Sequence, residues 1–144
     1  MDRAALDVAL RLGIPCGGWC PRGRLAEDGV ISAHYPLHET PLDDPAQRTE
    51  WNVRDADATL VLFRGTPSAG TAFTIECAAR LERPLLVVDL LDTQKSEKIR
   101  PWLDRFTDGG VLNVAGPRES QAPGIYADAV RILEALLRDR VPLT

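Results

Sequence analysis

The sequence offers little that would point to a membrane or a nucleic acid. Its longest apolar runs are "ATLVLF" and "PLLVVDLL", whereas a membrane-spanning helix needs about 20 apolar residues. The formal net charge is −4 and the isoelectric point is near 5.2, which argues against a nucleic-acid footprint and against affinity for anionic membranes. Because no secretory signal is evident either, the cytoplasm is the expected compartment.

Metal-binding residue types are also scarce. Cys16 and Cys20 are separated by three residues and Cys77 is distant, which is neither a paired zinc knuckle nor a C-x-x-C redox motif. His34 and His38 lie in a predicted loop, where a spacing of four carries no helical geometry. We therefore expect three free thiols and no metal site built by protein side chains.

Lysine is rare, since Lys95 and Lys98 are the two lysines among 17 basic residues. Arginine binds phosphates and carboxylates through pairs of parallel hydrogen bonds, but a GC-rich genome would produce the same bias. The length of 144 residues, with 44% hydrophobic and 26% charged residues, predicts one globular domain spanning residues 1–144.

Helical and strand-like segments alternate along the chain. Buried strands are predicted for "DATLVLF", "PLLVVDL" and "GVLNVAG", and a short strand for "IPCGGW", with a loop over residues 24–44. Helices are predicted for "DRAALDVALRLG", "DPAQRTEWNVRDA", "TAFTIECAARLE", "SEKIRPWLDRF" and "PGIYADAVRILEALLRD". Gly13 should end the first helix, Asp44 should cap the second, and Pro101 should kink or split the fourth.

This alternation predicts an α/β protein, a Rossmann-like three-layer sandwich with a mostly parallel sheet. Such folds normally begin with a strand that feeds a ligand-binding turn. This chain opens directly on a helix, so the N-terminal strand is expected to be absent.

Two glycine-containing loops are candidates for binding an anion. In "CGGWCPRGRLAEDG", Gly17 and Gly18 allow a tight turn, Trp19 offers a flat face, and Arg22 and Arg24 offer guanidinium groups. In "RGTPSAGT", residues 64–71 leave a buried strand and enter a helix. This is the position at which helix N-termini bind phosphate in α/β sheets.

The helix over residues 44–56 adds Arg48 and Asn52, whose i, i+4 spacing places them on one face. Each feature also has an ordinary structural explanation, as a capped helix, a glycine turn or a solvated arginine. The predicted anion-binding set comprises Trp19, Cys20, Arg22, Gly23, Arg24, Arg48, Asn52, Arg64, Gly65, Ser68, Ala69, Gly70 and Thr71.

The stretches "DRAALDVALRLGIPCGGWCPRGRLAEDG", "RTEWNVRDADATLVLFRGTPSAGTA", "PLLVVDL" and "LNVAGPRESQAPGIY" together resemble the molybdenum carrier family. This resemblance covers nearly the whole chain and implies a Rossmann-like fold related to the LOG, or lysine-decarboxylase-like, nucleotide-handling proteins. It also implies binding and storage or transfer of the molybdenum cofactor, a phosphorylated pterin, by a homo-oligomer, either a dimer or a tetramer.

The sequence departs from the family pattern in two places. Members usually carry a strand and a "GGQTG"-type loop before the helix that reads "DRAALD" here, and this chain has no counterpart. Ala69 stands where a glycine is common. The remaining ligand loops implied by the resemblance are "GWCPRG" at Trp19–Gly23 and "SAGT" at Ser68–Thr71.

Two other functions remain open. The chain resembles LOG phosphoribohydrolases in the arginine of the helix before the loop, here Arg48. Thr74, however, stands where those enzymes carry a catalytic glutamate, and Glu76 lies about 200° around a helix from it. No catalytic residue is therefore predicted. A sensor module for a nucleotide-like ligand would use the same loops.

Overall fold

The computed structural model describes residues 1–26, 28–106 and 110–138. The helices are α1 (Asp2–Leu12), α2 (Pro45–Asp55), α3 (Ala69–Arg80), α4 (Lys95–Leu103) and α5 (Ile125–Leu137). The strands are β1 (Trp19–Cys20), β2 (Leu25–Ala26), β3 (Gly29–Val30), β4 (His38–Glu39), β5 (Ala58–Phe63), β6 (Leu85–Asp89) and β7 (Leu112–Ala115).

A parallel three-stranded sheet forms the centre, in the order β6-β5-β7. β5 is buried along most of its length, because helices cover both faces of the sheet, and this explains its unbroken apolar sequence. One apolar cluster joins the sheet to α1, α4 and α5. A smaller cluster joins it to α2 and α3. The chain therefore has the predicted Rossmann-like three-layer α/β fold.

The helix ends follow the local sequence. Gly13 adopts a left-handed conformation with φ +73° at the end of α1, as a C-terminal glycine should. The Asp44 carboxylate accepts a hydrogen bond from the Ala46 backbone N–H at 3.0 Å. Pro45 then occupies the first turn of α2, where its missing N–H costs no helical bond.

Four sequence expectations need correction. β6 and β7 are not the buried strands that their sequences predict, since Val88 and Val114 are their buried residues in the described structure. The strand expected over "IPCGGW" begins only at its last residue, Trp19, and runs to Cys20, since its partner β4 offers two residues and Pro15 has no N–H to donate. The loop expected over residues 24–44 contains β4 and the antiparallel pair β2–β3. Pro101 does not split its helix: α4 continues to Leu103 and then tightens into a 3₁₀ turn.

The parallel order places the loops after β5, β6 and β7 at one edge of the sheet, the edge at which α/β proteins bind ligands.

The first described element is α1. Cys16, Cys20 and Cys77 are free thiols, as expected. In the described ranges, no helix has the length and apolar character needed to span a bilayer.

Candidate anion-binding site

The loop between β5 and α3 ends in a capped helix N-terminus. The Ser68 hydroxyl accepts a hydrogen bond from the Thr71 backbone N–H at 3.2 Å, and the two side-chain oxygens lie 3.0 Å apart. Thr71 is buried, whereas Ala69 and Gly70 are exposed. The first turn of a helix carries backbone N–H groups without helical acceptors and the positive end of the helix dipole. This turn can therefore bind an anion.

Side chains from other elements hold this loop in place. Arg64 donates to the Asp128 carboxylate at 2.9 Å and to the Pro123 carbonyl. The Gly65 backbone N–H donates to Asp89 at 3.1 Å, and the same carboxylate oxygen accepts from the Leu91 N–H. The loop after β5 is thus anchored both to the end of β6 and to the start of α5.

The loop after β7 is organised by a carboxylate of its own. Glu119 accepts hydrogen bonds from the backbone N–H groups of Gly124 and Tyr126, the latter at 2.9 Å. These bonds favour the charged form and lower the pKa of Glu119. The start of α1 reaches the same edge, since the Met1 amino group lies 3.4 Å from the Pro117 carbonyl.

The comparisons with known proteins agree with this architecture. Residues 1–137 match the profile of the circularly permutated YpsA SLOG family. The chain belongs to that family. It is also similar to a crystal structure of a "Putative molybdenum carrier protein" from Syntrophus aciditrophicus SB. The two share 42% sequence identity and a TM-score of 0.86, over 94% of this chain and 87% of that chain. A search of curated proteins finds no match.

The predicted resemblance to molybdenum carriers related to the LOG proteins is therefore confirmed. The predicted binding set stays a prediction, and the structure divides it into three groups. Arg64, Gly65 and Ser68–Thr71 share the loop and first turn just described. Trp19–Arg24 lie on β1 and the turn after it, and Arg48 and Asn52 lie on α2.

In this SLOG chain, the Arg24 side chain binds backbone carbonyls of its own loop. Its guanidinium donates to the carbonyls of Ser32 at 2.8 Å, Leu37 at 3.1 Å, Tyr35 at 3.1 Å and Ile31 at 3.2 Å. Its backbone is left-handed, with φ +55°, a conformation uncommon outside glycine. Because its donors are occupied by backbone oxygens, Arg24 has little left to offer a ligand.

Asn52 and Trp19 fasten α2 to β1. The Asn52 amide accepts from the Trp19 backbone N–H at 2.8 Å and donates to the Trp19 carbonyl at 3.1 Å. The indole N–H of Trp19 donates to Asp55, and its ring packs edge-on against Trp51 at 4.8 Å. The Trp19 indole is therefore bound to side chains of α2. The Asn52 amide pairs with the backbone N–H and carbonyl of Trp19, the two groups that a neighbouring strand would otherwise bind.

The turn after β1 leaves one arginine available. The Gly23 N–H donates to Glu39 at 2.6 Å, and the Arg22 N–H donates to the Leu42 carbonyl at 3.0 Å. The exposed Arg22 guanidinium has no partner among the described residues. Cys20 is buried, which raises the pKa of its thiol and leaves it poorly suited to contact an anion.

Arg48 is shared with the start of α1, since its guanidinium donates to Asp2 at 2.7 Å. Both side chains are partly exposed, so this ion pair is weak and an incoming anion can compete for the arginine.

The structure agrees with the expectation that Glu76 lies on a different face of α3 from Thr74. Thr74 is buried and donates to the Gly70 carbonyl, whereas Glu76 is exposed elsewhere on α3.

Sequence reasoning left several residues that organise the site outside the predicted set. Asp89 could have been found from the sequence, because it is a carboxylate at the end of an apolar strand. Nothing in the local sequence marked Asp128, because its partner Arg64 lies 64 residues away. Within the described ranges, no group of three or more His, Cys, Asp or Glu residues is placed to hold a metal ion.

Proposed function

We propose that this chain binds an anionic cofactor, the molybdenum cofactor, and stores or transfers it without chemically changing it. The observation that carries the proposal is the capped N-terminus of α3, which follows β5 at the ligand edge of the sheet. The name of the structural neighbour supports the choice of cofactor. The phosphate group of the cofactor would accept hydrogen bonds from the N–H groups of Ala69 and Gly70 and from the Ser68 hydroxyl.

The residues present fit the phosphorylated end of such a cofactor. Helix N-termini bind phosphate through free N–H groups and the helix dipole, and Gly70 has open space around its Cα. Of the other predicted residues, Arg22 has an exposed guanidinium without a partner in the described part of the chain, and Arg48 forms a partly exposed ion pair. Arg64 and Gly65 would position the loop through their bonds to α5 and Asp89.

The alternative of a LOG-like phosphoribohydrolase finds less support. Assisting glycosidic cleavage requires a carboxyl group beside the scissile bond. At the corresponding place α3 carries Thr74, whose hydroxyl is bonded to Gly70. A carrier needs no such group, and neither does a sensor of a nucleotide-like ligand.

Binding is tested by ligand-induced thermal stabilisation with molybdenum cofactor, molybdate, tungstate, AMP and inorganic phosphate. A ligand that binds the native state alone stabilises it by about 2.7 kcal/mol at a hundredfold excess over Kd. We expect the cofactor to raise the melting temperature most. Stabilisation by AMP together with release of free adenine would instead establish the hydrolase.

Ala69→Glu separates ligand binding from folding. A carboxylate in the first turn favours the helix by about 0.3–1 kcal/mol, yet it would occupy the proposed phosphate position. We expect the variant to fold and to lose cofactor binding. The matched control, Ala79→Glu, places the same charge at the exposed far end of α3. Equal binding by the two variants would contradict the assignment to the helix N-terminus.

The remaining predictions concern the setting of this function. We propose that the chain acts as a homo-oligomer, either a dimer or a tetramer, in the cytoplasm. Light scattering at several protein concentrations tests the assembly. A mass that stays at one 15.8 kDa chain at every concentration would rule the oligomer out.

A further inference from the structure

A cavity lies between α4 and α5, beside the residue that follows β6. Its volume is about 350 Å³, within the range of about 300–1,000 Å³ that is usual for small-molecule sites. Its lining consists of Leu90 and Ile132, here called the floor, and of Lys95, Ser96, Asp128, Arg131 and Ala135, here called the walls.

The walls carry excess positive charge. Asp128 is neutralised twice, since one oxygen accepts from Arg131 at 2.8 Å and the other from Arg64 at 2.9 Å. Lys95 has no hydrogen-bonded carboxylate among the described residues. Asp92 lies within its field, but that carboxylate is bonded to other groups.

The Asp92 carboxylate is bonded to residues other than Lys95. One Asp92 oxygen accepts from the Gln94 backbone N–H at 2.9 Å, and the other forms an ion pair with Lys98. The Lys95 ammonium thus remains a donor without an acidic partner beside the cavity. An acceptor entering the cavity would supply that partner.

The floor is apolar and nearly buried, since Leu90 is 9% exposed and Ile132 is 6% exposed. A cavity with two cations, one hydroxyl and an apolar floor suits an oxyanion attached to a small apolar body. A bare inorganic anion would leave the floor uncovered. A neutral apolar molecule would offer Lys95 no acceptor.

We propose that this cavity binds a small organic phosphate or carboxylate, with its oxyanion between Lys95 and Arg131 and its apolar part on Leu90 and Ile132. This site uses none of the residues at the N-terminus of α3. Asp128 is common to the two sites, because it lines this cavity and also anchors Arg64 of the loop before α3. The test therefore changes Lys95 and Arg131, which lie outside the predicted anion-binding set, so that this site and the carrier function can fail separately.

The two lysines of the chain provide an internally controlled test. Lys98 lies one turn along α4 from Lys95 and is paired with Asp92. Both can be acylated with a limiting amount of an N-hydroxysuccinimide ester and quantified by peptide mass spectrometry. We expect phenyl phosphate to slow modification of Lys95 several-fold and to leave Lys98 unchanged. Inorganic phosphate at the same concentration should protect Lys95 much less.

Variants provide the second arm. Arg131→Gln should remove the protection of Lys95 by phenyl phosphate, whereas Lys98→Gln should preserve it. Isothermal titration of the Lys95→Gln variant should show correspondingly weaker binding. Equal protection of both lysines, no protection, or protection that survives Arg131→Gln would overturn the site. Equal protection by phosphate and phenyl phosphate would overturn its apolar half.

Discussion

The two loops that the sequence marks as anion-binding turn out to differ in how their polar groups are used. Between β1 and β4, Gly23 and Arg24 are engaged in holding their own segment together. Between β5 and α3, the anchors come from outside the loop, from Asp89 and Asp128. The second loop therefore keeps its helix N-terminus free. Glycine and arginine content alone does not distinguish a ligand loop from a structural one.

Arg24 should produce the largest effect. Arg24→Gln removes a charged donor from four backbone carbonyls. We expect it to lower the free energy of unfolding by about 3 kcal/mol, since hydrogen bonds to charged groups are strong and unpaired carbonyls are costly. Urea denaturation measures the change. In the matched control Arg22→Gln, the loss should stay within about 0.5 kcal/mol. Similar losses in both variants would erase the contrast between these arginines.

Asn52 comes next in expected size. Asn52→Ala leaves the N–H and carbonyl of Trp19 without their partners, and we expect a loss of about 2 kcal/mol. Thermal and urea denaturation both report it. Asn52→Asp keeps the acceptor but removes the donor, so an intermediate loss is expected. If Asn52→Asp were as stable as the native chain, the reciprocal pairing with Trp19 would not matter.

Tyr35 tests how the segment between β1 and β4 is attached to the helices. Its hydroxyl donates to Asp7 at 2.7 Å, and burial together with this bond raises the pKa of Tyr35 to about 12. The stability that the phenol contributes is therefore present below about pH 10, its unfolded pKa, and is lost as the pH rises through the folded value.

Tyr35→Phe should cost about 1 kcal/mol near neutral pH, and its stability should approach that of the native chain as the pH rises from about 10 to 12. Chemical denaturation at several pH values measures this gap. The gap should stay constant if the Tyr35 phenol ionises normally in the folded protein.

Ser68 should affect stability no more than Tyr35 does. Ser68→Ala removes the cap of α3 and should cost about 1 kcal/mol, whereas Ser68→Gly should cost a few tenths. Under the proposed function, both should weaken cofactor binding, because both remove the same hydroxyl from the first turn. Calorimetry on the two variants separates these effects. Unchanged binding would exclude the hydroxyl from the site.

Local sequence predicted much of this architecture. Gly13, Asp44 and the apolar run of β5 act through neighbours a few residues away, so periodicity and capping rules locate their elements. β1 was overestimated, because a strand extends only as far as its partner does. That partner, β4, lies within a segment that reads as loop.

The candidate site was predictable only in part. Ser68 and Thr71 were identifiable because a capped helix after a buried strand is a local pattern. The sequence did not show that the side chains of Arg24 and Asn52 are already hydrogen-bonded, since their partners are backbone groups that the folded path of the chain brings to them. Lys95 on α4 and Arg131 on α5 line one cavity, and no shared motif in the sequence links them.

By itself, the sequence determined the alternation of helices and strands, the three-layer class and the position of the loop after β5. These follow from burial periodicity and from hydrogen bonds within a few residues. Only the tertiary structure decided which cations remain available. That depends on acceptors that no local pattern identifies. The carbonyls of residues 31–37 reach Arg24 through the folded path of one loop, and Asp128 meets Arg64 only after the layers pack.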